Sequence, residues 1–386
     1  MDFMLTREQQ DIIQEARKFA KGEFPERAVE FDREETFDLA IWKKACELGF
    51  VGVFIGQKYD GAGYGFFEHC LINEEFWAVE PGMAAQVLST TFGAELIQLY
   101  GTDEQKQTWL PRLVTGDAIM GTAITEPEAG CDVTQAVTTA VKKEGTYVVN
   151  GSKMFITNGN LADFLLVFCQ TDPDNPSRHK RHSFILVPTN TPGYQAIKIK
   201  GKMGIRASNT AEIVLKDIRV PQTNLVGEEG VGFYELMAFF NRTRLHIAAQ
   251  AVGLARAALE ESIQHVKGRK QFGASLASFQ VTQFKIAEMA TKIRAARNLY
   301  YEAAWNADRD NIDHALVAMA KWYSAKIAVE CADEAVQMHG GYGYIDEYKV
   351  QRLYRDAKIL EIYEGTKEIE KTIISKTILG GSHSSG

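Results

Sequence analysis

Cysteine is scarce in this chain. Cys46, Cys70, Cys131, Cys169 and Cys331 are odd in number, scattered over 386 residues and without metal-ligand spacing. That usage belongs to a reducing compartment rather than to a disulfide-stapled scaffold. The eight histidines form no H-E-x-x-H or similar pattern, so no metal site is expected. Positive charge is not in excess: the net charge is −7, which gives no reason to expect nucleic acid. The one basic cluster, Arg178-His179-Lys180-Arg181-His182, reads as a solvated loop. No apolar run approaches the roughly 20 residues of a membrane span. The opening MDFMLTREQQ has neither the apolar core of a signal peptide nor the basic character of an organellar leader. The expectation is a soluble, cytoplasmic protein that engages no membrane.

Three nucleotide and nucleophile motifs are also missing. No G-x-G-x-x-G follows a strand, no G-x-x-x-x-G-K-[ST] occurs, and there is no G-x-S-x-G elbow. Gly61-Ala-Gly63-Tyr-Gly65 has no strand before it and reads as a loop ahead of a helix. A dinucleotide held by a Rossmann unit is therefore not expected.

What is present changes texture twice. Thr6-x-x-Gln9 opens a helix as a capping box, with Ile12, Ile13, Ala16, Phe19 and Ala20 at helical spacing. Helical patterns continue over 38–49, 66–79 and 84–100, with a further cap at Thr102, so residues 1–117 read as a helical domain. Residues 118–230 hold short runs rich in Val, Ile, Thr and Gly, bounded by Gly, Asn, Asp or Pro. They read as antiparallel strands of a small β-barrel or sandwich, with a hairpin turn at Lys143–Tyr147. From 231 to 379 the helical period returns in long amphipathic stretches, at 233–267, 278–307, 310–339 and 346–357, as in a helical bundle. The closing GGSHSSG, 380–386, reads as a disordered tail. The fold class is α+β, mainly α.

Several Gly- and Thr-rich junctions interrupt these textures: AITEPEAGCD (123–132), NGSKMFITNG (150–159), GRKQFG (268–273), QMHGGYGY (337–344) and IYEGTKEIEK (362–371). Each has a plain reading as a turn, a cap or a helix stop. Together, with exposed backbone donors and Arg269, they also suit a phosphate-bearing cofactor shared by sheet and bundle. Glu364 before Gly365-Thr366 is either a cap left in solvent or a base turned inward.

These stretches, in this order, resemble the acyl-CoA dehydrogenase family of flavoenzymes over essentially the whole chain. The resemblance implies an N-terminal helical domain, a middle antiparallel β-barrel, a C-terminal four-helix bundle and FAD as cofactor. It makes Glu364 the base that removes the proton next to a CoA thioester, while hydride leaves the adjacent carbon for flavin N5. The Glu364 N–H would help hold the thioester oxygen, and Gly365 would let the backbone turn close to it. Arg244 resembles an arginine near the active site. Some relatives carry the base just before that arginine; here the position is Thr243, which cannot serve, leaving Glu364. Ile124 and Thr125 would line the flavin pyrimidine edge through backbone and hydroxyl contacts, and Thr157 would meet N5. Phe155 stands where many relatives have tryptophan, and Cys131 replaces the usual serine, weakening a phosphate or substrate contact. Arg269, Gln271 and Phe272 resemble the segment that reaches a neighbouring subunit's FAD. Gln280, Gln337 and Gly341 match the adenosine half, and Thr366 and Glu368 the pyrophosphate and ribose. A homotetramer with FAD at the interface is implied, with electrons passing to an electron-transfer flavoprotein.

The acyl pocket is expected along the helix over 82–99, with Met83, Val87, Leu88, Thr91 and Phe92 inward, near Tyr363, Cys131 and Arg244. Glutaryl-CoA relatives carry arginine near Met83, so an uncharged acyl group is expected, with Phe92 favouring short, medium, branched or cyclic chains. Retention of Glu364 argues for ordinary α,β-elimination. The alternative is the same fold acting mainly as an enoyl-CoA reductase, an oxidase or a desulfinase.

Overall fold

The computed structural model describes residues 4–380; the opening residues 1–3 and the expected tail beyond Gly380 lie outside them. Seven helices come first: α1 (Arg7–Glu23), α2 (Pro25–Glu34), α3 (Leu39–Glu47), α4 (Phe66–Trp77), α5 (Pro81–Leu88), α6 (Ala94–Tyr100) and α7 (Asp103–Val114). The capping boxes at Thr6 and Thr102 both form: each hydroxyl accepts from the third helical N–H while the glutamine there binds back.

The helix expected over 84–100 is two helices. A short 3-10 turn, Ser89–Thr91, leads into Phe92 in extended conformation and Gly93 at φ 112°. A Cβ at Gly93 would overlap Thr122 Oγ1, so the chain breaks there to let the middle region approach.

Eight strands follow: β1 (Met120–Ala123), β2 (Thr139–Lys143), β3 (Thr146–Thr157), β4 (Phe164–Gln170), β5 (His182–Pro188), β6 (Tyr194–Lys198), β7 (Thr210–Pro221) and β8 (Leu225–Val226). They form one sheet in the order β6-β7-β3-β2-β4-β5-β8, with β1 added beside β4. Glu144 and Gly145, both at positive φ, make the expected tight turn between β2 and β3. One expectation needs correction. The sheet is not wholly antiparallel, because β1 runs parallel to β4 and β2 meets β4 in parallel.

The long helices come last: α8 (Gly232–Gly268), a small hairpin of β9 (Lys270–Gln271) and β10 (Ala274–Ser275), then α9 (Gln280–Ala307), α10 (His314–His339), α11 (Lys349–Ala357) and α12 (Lys367–Ile378). α8 packs on α4, α9 and α10, and α10 on α12. Their contact is not purely apolar. The buried Glu74 of α4 takes Arg256 of α8 and Arg297 of α9, each at 2.7 Å, and Arg352 of α11 pairs with buried Glu80 at 2.9 Å. Such pairs fix how helices meet more than they add stability. This packing sets the first third of α8, at Thr243 and Arg244, beside the turn between α11 and α12.

Candidate active site

That turn carries Glu364. After a 3-10 turn, Lys358–Glu361, the chain enters Glu364 at φ 56° and Gly365 at φ 104°, two consecutive left-handed residues, before α12 starts. Thr366 occupies the N-cap position but makes no side-chain cap bond; its hydroxyl lies 3.9 Å from Cys131 Sγ. The Glu364 carboxyl turns toward α8, where Thr243 Oγ1 donates to Oε2 at 2.6 Å. Arg244 Nε donates to the Glu364 carbonyl at 3.0 Å, and Lys321 Nζ of α10 donates to the Gly365 carbonyl. Burial raises the pKa of Glu364, opposed by the Thr243 hydrogen bond and the charges of Arg244 and Lys321. Tyr363 donates to Gln250 at 2.7 Å, and burial drives its phenol well above its ordinary range.

Of the residues expected along the acyl pocket, Met83 and Val87 have essentially no exposed surface and sit in the main apolar core. Leu88 and Thr91 are also buried. Phe92 is half-buried at the helix break, its ring edge-on to Phe239 at 5.1 Å and its carbonyl held by Thr122 at 2.9 Å. The sequence reading passed over three polar residues in this region. Glu95 of α6 is buried; its Oε2 accepts from Gly93 N at 3.2 Å, and its Oε1 lies 4.0 Å from His246 Nδ1. Burial pushes its pKa to about 7, with the charge of Glu364 adding to the rise. His69 of α4 stands against His246, ring centroids 4.2 Å apart, and burial lowers it to about 3. A carboxylate at an inward position of an apolar helical pattern was the available signal for Glu95.

The middle region presents a second set. Ile124 and Thr125 follow β1, but both carbonyls are engaged within the protein: Ile124 O accepts from Lys153 Nζ at 2.9 Å, and Thr125 O from Met154 N at 2.8 Å. That leaves the Thr125 hydroxyl and backbone N–H groups for a cofactor. Lys153, fully buried on β3, also reaches Phe168 O at 2.6 Å and Glu126 at 2.8 Å, while Glu126 accepts from Val137 N and Thr138 N. Nothing in the local sequence marked this lysine. Phe155 sits at φ 61° where β3 shifts register against β7, and is 66% exposed. Thr157 is half-buried opposite Thr210. Cys131 is exposed, beside Asp132, which caps Thr134 N at 3.2 Å.

A third set lies at the far end of α8. Arg269, Gln271, Gln337 and Gly341 line one pocket of about 410 Å³ with His265, His339 and Tyr342. Arg269 stands over the Tyr342 ring at 5.3 Å. Phe272, at φ 51° in the turn between β9 and β10, is 97% exposed. Gln280 begins α9, and Glu368 lies in the first turn of α12; both are exposed and neither lines that pocket. The donor chemistry fits FAD in two parts. A guanidinium, two amides and open glycine backbone suit a pyrophosphate and adenosine, whereas hydroxyls beside an exposed aromatic ring suit an isoalloxazine.

Models of the acyl-CoA dehydrogenase N-terminal, middle and C-terminal domains match residues 6–117, 121–218 and 230–379. An acyl-CoA dehydrogenase of Bacillus subtilis is 41% identical over 380 residues, 98% of this chain and 100% of the relative. An NADH-linked acryloyl-CoA reductase of Anaerotignum propionicum is 41% identical over 98% of this chain and 96% of its own length. The solved butyryl-CoA dehydrogenase of Megasphaera elsdenii superposes with a TM-score of 0.94 at 38% identity, covering 98% of this chain and all of that one.

Proposed function

The chain belongs to the acyl-CoA dehydrogenase family of FAD-dependent oxidoreductases, and from that premise we propose α,β-dehydrogenation of an uncharged acyl-CoA with Glu364 as the base. The observation that carries the proposal is the Glu364 carboxyl itself. It is turned inward, desolvated enough to strengthen as a base, and oriented by Thr243 through Oε2, which leaves Oε1 to take the α-proton. FAD, when bound, supplies the hydride acceptor. Thr125, Thr157 and Phe155 would hold its flavin end, with Cys131, Thr366 and Glu368 beyond. Arg244 fixes the turn on which the base sits rather than reaching for the proton.

The adenosine half falls to Arg269, Gln271, Phe272, Gln280, Gln337 and Gly341. Twenty-five residues of α8 separate Arg244 from Arg269, roughly 37 Å at 1.5 Å per residue. Such a separation between the turn and the adenosine contacts favours contacts exchanged between subunits, here proposed as a homotetramer. The described helices hold no segment long and apolar enough to cross a membrane. The five free cysteines favour cytoplasmic placement. The electron acceptor is proposed to be an electron-transfer flavoprotein. Short, branched or cyclic acyl groups fit Phe92 closing on Phe239. The similarity to an acryloyl-CoA reductase favours a second reading, reduction of an enoyl-CoA at the same site.

The test is an anaerobic titration of the flavin-loaded protein with a panel of saturated acyl-CoAs. Bleaching of the oxidised flavin band by one neutral acyl-CoA is expected and identifies the acyl group. Absence of bleaching by every member, with reduced flavin reoxidised by an enoyl-CoA, would replace dehydrogenation with the reductase reading.

A further inference from the structure

Two charged residues near Glu364 have no part in the chemistry above. Glu370 of α12 is wholly buried, and neither of its carboxylate oxygens accepts a hydrogen bond. Its stabilisation comes from ionic contact: Arg244 Nε lies 3.0 Å from Oε1. Lys321 of α10 is likewise fully buried, with its ammonium on the Gly365 carbonyl. A buried charge without a partner costs several kcal/mol, so such groups persist where their charges balance. Here Arg244 and Lys321 are set against Glu364 and Glu370. The geometry is reciprocal. Arg244 takes the Glu364 carbonyl, Lys321 takes the next carbonyl, and the Glu370 carboxylate packs against Gly365, where a Cβ would overlap it.

We propose that Lys321 and Glu370 are positioning residues, which with Arg244 clamp the Glu364–Gly365 turn in its left-handed form and balance the charge beside the Glu364 carboxyl. The proposal rests on the reading of Glu364 as the base and adds two residues to it. Lys321 and Glu370 then oppose one another: the cation strengthens the charged form of Glu364, and the carboxylate weakens it. Burial raises Glu370, opposed by the charges of Arg244 and Lys321, and lowers Lys321, opposed by the charges of Glu370 and Glu364. The other charged and titratable groups around this turn are accounted for. From α8, Arg242 bonds the Ala238 carbonyl. The 3-10 turn before Glu364 brings Glu361, paired with Lys358 and with Lys367 of α12. From α6 comes Glu95, and Tyr363 precedes the base.

The test is the pH dependence of solvent-deuterium exchange at the α-carbon of an acyl-CoA, on flavin-loaded protein. Lys321→Met should move the rising limb of exchange to higher pH, and Glu370→Gln to lower pH. Each shift should be on the order of one pH unit, as for loss of a neighbouring charge. The double variant should return the limb toward its original position, and Lys321→Arg should leave it in place. Purely structural roles would lower rates without opposite displacements. If Lys321→Met fails to fold, Glu370→Gln and Lys321→Arg still decide the matter. Limbs that stay in place, or move the same way, overturn the proposal. Glu364→Gln run alongside separates the two failures: if it keeps full exchange, the reading of Glu364 falls, whatever the limbs do.

Discussion

At the scale of single residues, the 362–366 turn depends on what each side chain allows its neighbour. Gly365 was legible in the sequence as a close turn, but its reason was not. The space for a Cβ is taken by Glu370 Oε1 and, at 3.2 Å, by Arg244 Nη2, groups 5 and 121 residues away. Gly365→Ala should therefore cost about 1–3 kcal/mol from its positive φ alone, with a further loss from the collision. Thermal unfolding beside exchange rates would show both losses. Thr243 was read in the sequence as a residue that cannot serve as base. Its role as donor to Glu364 depends on α8 and the turn meeting in space, which no local pattern announces.

Elements decide the next level. Helical periodicity found every long helix, because a face buried against a neighbour leaves its spacing in the chain. It missed the break at Phe92–Gly93, where an apolar pattern continues through a turn whose cause is Thr122 of the middle region. Behind β1, Lys153 ties Ile124, Phe168 and Glu126 together inside the sheet. Lys153→Met breaks a buried pair, for which about 3–5 kcal/mol is the usual cost. The segment carrying Thr125 should loosen, read as weaker FAD retention on dilution and a lower melting temperature. Between α4 and α8, His69 and His246 are held neutral by burial, His69 at about 3 and His246 well below its ordinary value. A histidine with a depressed folded pKa gives stability that is complete above its unfolded value near 6.5. That stability is lost as pH falls toward the folded value, by up to about 1.4 kcal/mol per pH unit for each ring. Relative to the unsubstituted protein, His69→Gln should shift the slope of melting temperature between pH 7 and pH 5 toward greater stability at the acid end; an unchanged slope would contradict it.

Over the whole molecule, the order helix, sheet, helix could be read from texture alone. The parallel pairing of β1 with β4 could not, since register between strands some 40 residues apart is set by what packs on both. The separation of Arg269 from Arg244 could, since the helix expected over 233–267 carries one and ends just before the other. That separation, together with Phe272 at 97% exposure, suits the proposed exchange of FAD contacts between subunits. Phe272→Asp should lower the mass in solution and weaken FAD binding together. A change in neither would remove the exchanged-contact assembly.

The central claim concerns one carboxylate. Solvent-deuterium exchange at the α-carbon of an acyl-CoA, on flavin-loaded Glu364→Gln against the unsubstituted protein, tests it most directly. Loss of exchange by at least about a hundredfold, with the flavin band intact, is the predicted result. Undiminished exchange with the flavin still bound would show that another group removes the proton.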